Sequence, residues 1–299
     1  MGTDSIREPA KRFGVQYVPE VNISPSDYLP HYRDNYRRLK PQTNGCTTLI
    51  GMIANGSKLS DIELRVASRP DQVTITSNQQ WTALHMVCVC ANFVDENMYA
   101  DIMCVLLDAG ANINAQDEIG YTPLMRLVER GMFPVALFNI LVDRQCDVNL
   151  RNNTQATALH LYYATNKYDL QIVSPILDAH FDINNTTDDG KNVLMIFLIR
   201  CPSPMLSKNR MQHVQLLIDR GTNLDAQDSD GNTVLHIATH RGLAELVPIL
   251  INGGADVNIR NNLGETPIMQ PCLSYYAAYH LRKAGATDRA PRCCCCSLI

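Results

Sequence analysis

The sequence has no long apolar run. Its longest, Val193 to Ile199, is far shorter than the roughly 18 residues of a membrane span. The apolar core of a signal peptide is also missing between Met1 and Arg12. A cytoplasmic chain is therefore expected, in which Asn-x-Ser/Thr triplets such as Asn55-Gly56-Ser57 and Asn185-Thr186-Thr187 are chance occurrences. The scattered cysteines (Cys46, Cys88, Cys90, Cys104, Cys146, Cys201, Cys272) contain no C-x-x-C pair. That excludes the usual zinc and dithiol spacings and leaves reduced, mostly buried thiols as the expectation. There is no glycine-rich phosphate loop, His-Glu-x-x-His helix or Gly-x-Ser-x-Gly elbow. Catalysis, a cofactor, a metal and a small-molecule substrate are accordingly not expected. A basic excess is absent from the body of the chain: residues 41–280 carry 15 Lys/Arg against 24 Asp/Glu. Nucleic acid needs a basic footprint, so a protein with a basic or neutral surface is the expected partner. The ends differ from the body, with 7 against 5 in residues 1–40 and 4 against 1 in residues 281–299.

Apolar material is ample, at 45% hydrophobic and 19% charged residues, which is a folded composition. It is organised as a repeat. A turn residue, any residue, Thr, a small residue, Leu and then His or Met recur along the chain. The phrase reads Gln80-Trp81-Thr82-Ala83-Leu84-His85, then Gly120-Tyr121-Thr122-Pro123-Leu124-Met125 and Gln155-Ala156-Thr157-Ala158-Leu159-His160. It returns at Gly231-Asn232-Thr233-Val234-Leu235-His236 and at Gly264-Glu265-Thr266-Pro267-Ile268-Met269. Gly45-Cys46-Thr47-Thr48-Leu49-Ile50 opens the series, and Gly190-Lys191-Asn192-Val193-Leu194-Met195 is a degenerate copy. The anchors at 49, 84, 124, 159, 194, 235 and 268 are spaced by 35, 40, 35, 35, 41 and 33 residues. A second phrase closes the units, as in Val105 to Asn114, Ile140 to Asn149, Leu216 to Leu224 and Ile249 to Asn258.

The residue types suit a stacked helical unit. The Thr hydroxyl can cap a first helix, and Pro123 and Pro267 fall in the first turn, where a missing N–H costs nothing. The Leu-rich stripe is the buried face of a second helix. Gly110, Gly221 and Gly254 stand where a helix end needs positive φ. Asp117 to Gly120 and Asp228 to Gly231 suit the turn into the next unit.

Two phrases in fixed order at this period resemble the ankyrin repeat. The resemblance covers residues 41–288 and about seven units. It implies an all-α solenoid of stacked helix–turn–helix units with hairpin-like finger loops, whose function is to bind another protein. It also implies that His85, His160 and His236 make a local hydrogen bond near the turn. Units with Met125, Met195 and Met269 instead are expected to rely more on packing. Asn114, Asn149, Asn184 and Asn258 occupy the finger position that asparagine hydroxylases modify in some ankyrin proteins, although turn structure alone also explains them. The first and seventh units are atypical, as caps are.

Two units carry insertions, around Ala91 to Tyr99 and from Arg200 to Asn209, which read equally as binding loops or as tolerated length. His236 and His240 stand four apart, but the repeat explains the first, so structure is the expected role rather than metal. Cys88, Cys90 and Cys104 read as small buried helix residues. Tyr162, Tyr163, Tyr275, Tyr276 and Tyr279 suit either an interface or a partly buried helix.

The chain ends Arg292-Cys293-Cys294-Cys295-Cys296-Ser297-Leu298-Ile299. Cys296, fourth from the end, matches the C-a-a-X prenylation pattern, and the terminal Ile leans towards geranylgeranyl. Stable anchoring needs a second signal. Cys293, Cys294 and Cys295 are placed for palmitate, and Arg282, Lys283, Arg289 and Arg292 add positive charge. Adjacent cysteines are poorly spaced to wrap a tetrahedral ion. Gly2 is not a myristate acceptor, because Ile6 stands where Ser or Thr is wanted. Residues 1–40, with Pro9, Pro19, Pro25 and Pro30, form an irregular leader, in which Tyr28 to Lys40 is either a short basic helix or disordered. The expected protein is a monomeric, non-enzymatic adaptor held at the cytosolic face of a membrane by a tail at 289–299. Its alternatives are a soluble substrate receptor of a ubiquitin ligase or an inhibitor of a transcription factor.

Overall fold

A computed structural model describes residues 48–287, apart from 92–94, 132, 166, 202–207 and 272. The leader, the opening Gly45-Cys46-Thr47, Cys272 and the cysteine tail lie outside the described residues.

Each repeat phrase starts a short first helix. These are α1 (Leu49–Ala54), α3 (Ala83–Cys90), α5 (Pro123–Val128), α7 (Ala158–Ala164), α9 (Val193–Arg200) and α11 (Val234–His240), followed by a 3-10 turn at Pro267–Met269. Each is paired with a second helix: α2 (Leu59–Ser68), α4 (Glu96–Asp108), α6 (Val135–Asp143), α8 (Leu170–Asp178), α10 (Lys208–Asp219), α12 (Val247–Asn252) and α13 (Tyr275–Lys283). First helices pack on first helices from α1 through α11 to the 3-10 turn. Second helices pack on one another from α2 to α8, and α12 packs on α13. No strand forms among the described residues; the only β pairing there is an isolated bridge between Thr186 and Asn192.

The core follows from the repeat. The seven anchors (Leu49, Leu84, Leu124, Leu159, Leu194, Leu235 and Ile268) are all buried. So are Ile62, Leu106, Leu141, Ile176, Leu217, Leu250 and Leu281, one from each second helix. Each such side chain contributes about 1.5–3 kcal/mol when fully buried. Most of that contact is with a neighbouring repeat, so no unit is stable alone.

Local chemistry sets the helix starts. Thr82 and Thr122 accept from the N–H three residues on, those of His85 (3.5 Å) and Met125 (3.2 Å). In the degenerate fifth unit Asn192 does the same for Met195, at 2.9 Å. In the first unit Thr48 is the cap, its hydroxyl accepting from Gly51 at 3.3 Å. Gly110, Gly221 and Gly254 close second helices at φ of +85°, +84° and +99°.

The second unit's insertion is not idle length. Part of it extends α4 to 13 residues, longer than the 9-residue α6. Glu96, in its first turn, reaches the next second helix and accepts from the Ala136 N–H at 3.1 Å. In the other insertion the described Asn209 donates to the Tyr168 carbonyl at 3.1 Å.

Candidate partner-binding face

Each turn between units is built on one polar side chain. Asp117 Oδ1 accepts from Ile119 (3.1 Å) and Tyr121 (2.9 Å). Asn152 does so from Thr154 and Ala156, Asp228 from Asp230 and Asn232, and Asn261 from Leu263 and Glu265. The turns then join tip to tip. Backbone N–H groups of Glu118, Asn153, Asp188, Ser229 and Asn262 donate to carbonyls of Gln79, Ile119, Thr154, Asp189 and Asp230, at 2.9–3.1 Å. The result is a row of fingers linked across six repeats. Its tips expose Glu118, Asp188 and Asp230, with apolar Ile119 (42% exposed) towards one end and Leu263 (81%) at the other. In the turn that opens the sixth unit close stacking demands glycine: a Cβ on Gly231, at φ +77°, would lie 2.6–2.7 Å from Asn262.

The four finger asparagines bind repeat to repeat. Asn114 Oδ1 accepts from the Asp147 N–H (2.8 Å), Asn149 from Asp182 (2.7 Å), Asn184 from Asn223 (2.8 Å) and Asn258 from Thr287 (2.9 Å). Three of them also donate their amide onward, Asn149 to His180, Asn184 to Gly221 and Asn258 to Gly285. Asp225 fills the same position in the fifth unit and accepts from Asp256. A turn role, read from sequence, understates them.

Two of the three motif histidines also reach across. His85 Nδ1 accepts from the Thr82 N–H (3.1 Å), which leaves the proton on Nε2 to donate to the Tyr121 carbonyl of the next unit (2.9 Å). His236 repeats this with Thr233 and the Glu265 carbonyl (3.0 Å). Both ring nitrogens of His236 are therefore occupied, and His240 has no metal-sharing partner in it. His160 Nδ1 takes the Thr157 N–H at 3.3 Å, and burial lowers this imidazole's pKa to about 4. Met125 and Met195 are packed in the core as expected. In the seventh unit, however, the Met269 sulfur stands in for the imidazole and accepts from Thr266 N–H at 3.4 Å.

Sequence reasoning missed one cluster. Arg126, at a buried first-helix position, donates Nε to Asp117 Oδ2 (2.8 Å) and Nη1 to Glu129 Oε1 (3.2 Å). Its guanidinium lies 4.7 Å from the Trp81 ring centre and 4.5 Å from that of Tyr121. Burial raises the Glu129 carboxyl to about 7 despite the arginine beside it. An arginine inside the apolar run Pro123–Val128 was the available signal. Cys88, Cys146 and Cys201 are buried, whereas Cys90 and Cys104, also expected to be enclosed, are only partly so; burial pushes Cys146 up to about 12. The five tyrosines divide, Tyr162 and Tyr163 buried and Tyr275, Tyr276 and Tyr279 exposed. Cys293, Cys294, Cys295 and Cys296 lie outside the described residues.

Comparison with known proteins agrees with this geometry. Residues 205–283 match the family model for ankyrin repeats in three copies, and residues 79–118 match the single ankyrin repeat. The chain carries ankyrin repeats. The crystal structure of the ankyrin repeat domain of Bcl-3, described as a unique member of the IkappaB protein family, has a TM-score of 0.65 at 26% identity. That match covers 80% of this chain and 99% of the domain. The human ASB11 ankyrin repeat domain has a TM-score of 0.54 at 19% identity over 81% of this chain and 99% of its own, a likeness of fold. Among curated relatives, the B-cell lymphoma 3 protein homolog of Mus musculus is 28% identical over 200 residues. Rabankyrin-5 of Mus musculus is 32% identical over 208 residues. Each match takes in 66% of this chain, but only 41% of the first protein and 16% of the second. The chain thus spans less than half the length of these relatives. Ankyrin repeats imply a protein partner, and a finger row joined by backbone hydrogen bonds is a surface suited to one.

Proposed function

We propose that this chain is a monomeric, non-enzymatic adaptor that holds a partner protein against its finger row and first helices. In this reading it is tethered to the cytosolic face of a membrane by prenylation of Cys296 and palmitoylation among Cys293, Cys294 and Cys295. The partner surface is basic or neutral with apolar residues at its margins, to complement Glu118, Asp188 and Asp230 between Ile119 and Leu263. The observation that carries the tether is the sequence Cys296-Ser297-Leu298-Ile299, preceded by three further cysteines. Neither nucleic acid nor a small-molecule substrate has a place in this reading. Asn114, Asn149, Asn184 and Asn258 are proposed as hydroxylation sites as well, one added oxygen each.

Intact mass and membrane fractionation of the chain expressed in eukaryotic cells test the tether. The expected result is an added isoprenoid, loss of Ser297 to Ile299, and release from membranes on Cys296→Ser. The likeness to Bcl-3 favours a second reading, a soluble inhibitor of a transcription factor. An unmodified chain recovered in the soluble fraction would retire the tether in favour of that reading.

A further inference from the structure

Helix α13, the last among the described residues, has two contrasting faces. Ala277, Ala278 and Leu281 are buried, and the helix packs on α12. The opposite side presents Tyr275, Tyr276 and Tyr279, exposed by 88%, 50% and 53%, with Arg282 and Lys283 also exposed. Of the seven exposed large apolar side chains among the described residues, three stand on this one helix, so the exposure is concentrated rather than scattered. The rings are not loose: His280 lies 4.6 Å from Tyr276 and 5.3 Å from Tyr279, centre to centre. Tyr275, Tyr279, Arg282 and Lys283 surround a shallow depression of about 350 Å3.

The outer face of a terminal repeat is normally polar. Three tyrosines there leave aromatic area in water, while each phenol keeps a polar tip. Such rings are at home at the boundary between lipid headgroups and acyl chains. Residues 275–283 contain no acidic side chain, and residues 281–299 hold 4 basic against 1 acidic residue, in a chain whose 41–280 segment is strongly acidic. Arg282 and Lys283 thus stand beside the tyrosines, and Arg289 and Arg292 follow them in the sequence before the cysteines.

We propose that the exposed face of α13 seats the last repeat on an anionic phospholipid bilayer, with Tyr275, Tyr276 and Tyr279 at the headgroup boundary and Lys283 against lipid phosphates. Charge decides for a bilayer over a second copy of the chain, because two such faces would bring like charges together. In the cell this contact rests on the proposed tether for delivery, since one weak electrostatic patch does not anchor a protein by itself. The contact itself needs no lipid modification and can be measured without one.

The test uses the full chain produced without lipid modification, verified by intact mass, and floated with vesicles. One set is phosphatidylcholine alone and the other phosphatidylcholine mixed with phosphatidylserine. Binding is expected to the second set and to weaken as salt rises. The triple variant Tyr275→Ser/Tyr279→Ser/Lys283→Glu is expected to lose at least about tenfold in affinity with an unchanged circular dichroism spectrum. Equal binding by parent and triple variant, or no preference for phosphatidylserine, overturns the proposal. A concentration-dependent dimer abolished by the same substitutions overturns it too, giving the face to a second copy. The tether fails separately. A chain that emerges unmodified from eukaryotic cells yet floats with phosphatidylserine vesicles retires the tether and keeps this face. A modified chain whose triple variant binds vesicles like the parent does the reverse.

Discussion

Asn149 clasps the following repeat with both ends of its amide: Oδ1 accepts from the Asp182 N–H at 2.7 Å, and Nδ2 donates to the His180 carbonyl at 3.0 Å. Equivalent clasps at Asn184 and Asn258 make the polar seam as regular as the apolar core. Replacing Asn149 by Ala removes both of these hydrogen bonds and a longer one from the Asn185 amide, and leaves the Asp182 N–H without its acceptor. The expected cost is about 1–2 kcal/mol. Urea unfolding reads it as a lower midpoint with an unchanged slope, whereas an unchanged midpoint would remove the asparagines from the stability of the array.

Glycine substitutions should separate two effects. Gly110, at φ +85°, has open space around a notional Cβ, so Gly110→Ala carries only the conformational penalty, about 1 kcal/mol. Gly231→Ala adds a collision with the Asn262 backbone and is expected to cost clearly more, about 2–3 kcal/mol. Equal thermal shifts for the two variants would contradict the close stacking of the fingers.

Core and tip leucines should behave oppositely. Leu141 is fully enclosed, and Leu141→Ala is expected to cost about 2–5 kcal/mol. Leu263 is 81% exposed, and Leu263→Ala is expected within about 0.5 kcal/mol of the parent. Thermal denaturation of the two variants side by side checks both.

Stability should depend on pH through two buried groups of opposite sign. Burial lowers His160 from 6.5 to about 4, so its contribution is full above pH 6.5 and is lost as pH falls towards 4, roughly 3 kcal/mol in all. Burial also lowers His85, His213 and His236, and these act in the same direction. Burial raises Glu129 from 4.5 to about 7, so its contribution is full below pH 4.5 and is lost as pH rises through 7. Glu129→Gln, which needs no charge in that site, is therefore expected to be more stable than the parent at pH 8, with the advantage gone at pH 4.5. Denaturant midpoints across this range decide it; a variant weaker than the parent at pH 8 would mean that the Arg126 pairing outweighs the burial of the carboxylate.

The chain by itself determined what is local. Thr82, Thr122 and Asn192 cap helices because an oxygen three residues from a free N–H needs no distant partner. The anchor leucines declare themselves because helical spacing puts them on one face, and Gly110 and Gly254 because a helix end at positive φ favours glycine, although Gln145 and His180 take that backbone, at φ +57° and +59°, in the units between. The tertiary structure decided everything that spans about 33 residues. Only stacking turns Asn114, Asn149, Asn184 and Asn258 from turn residues into clasps, and only stacking carries Glu96 to α6. It places Arg126 between Trp81 and Tyr121, and gives the Met269 sulfur the role of a histidine. It also separates Tyr162 and Tyr163, enclosed by neighbouring repeats, from Tyr275 and Tyr279, whose outer side no described repeat covers. The physical reason is the same each time: sequence spacing fixes which side of a helix a residue takes, but its partners belong to the next repeat, and only the stack brings them within hydrogen-bond or packing distance.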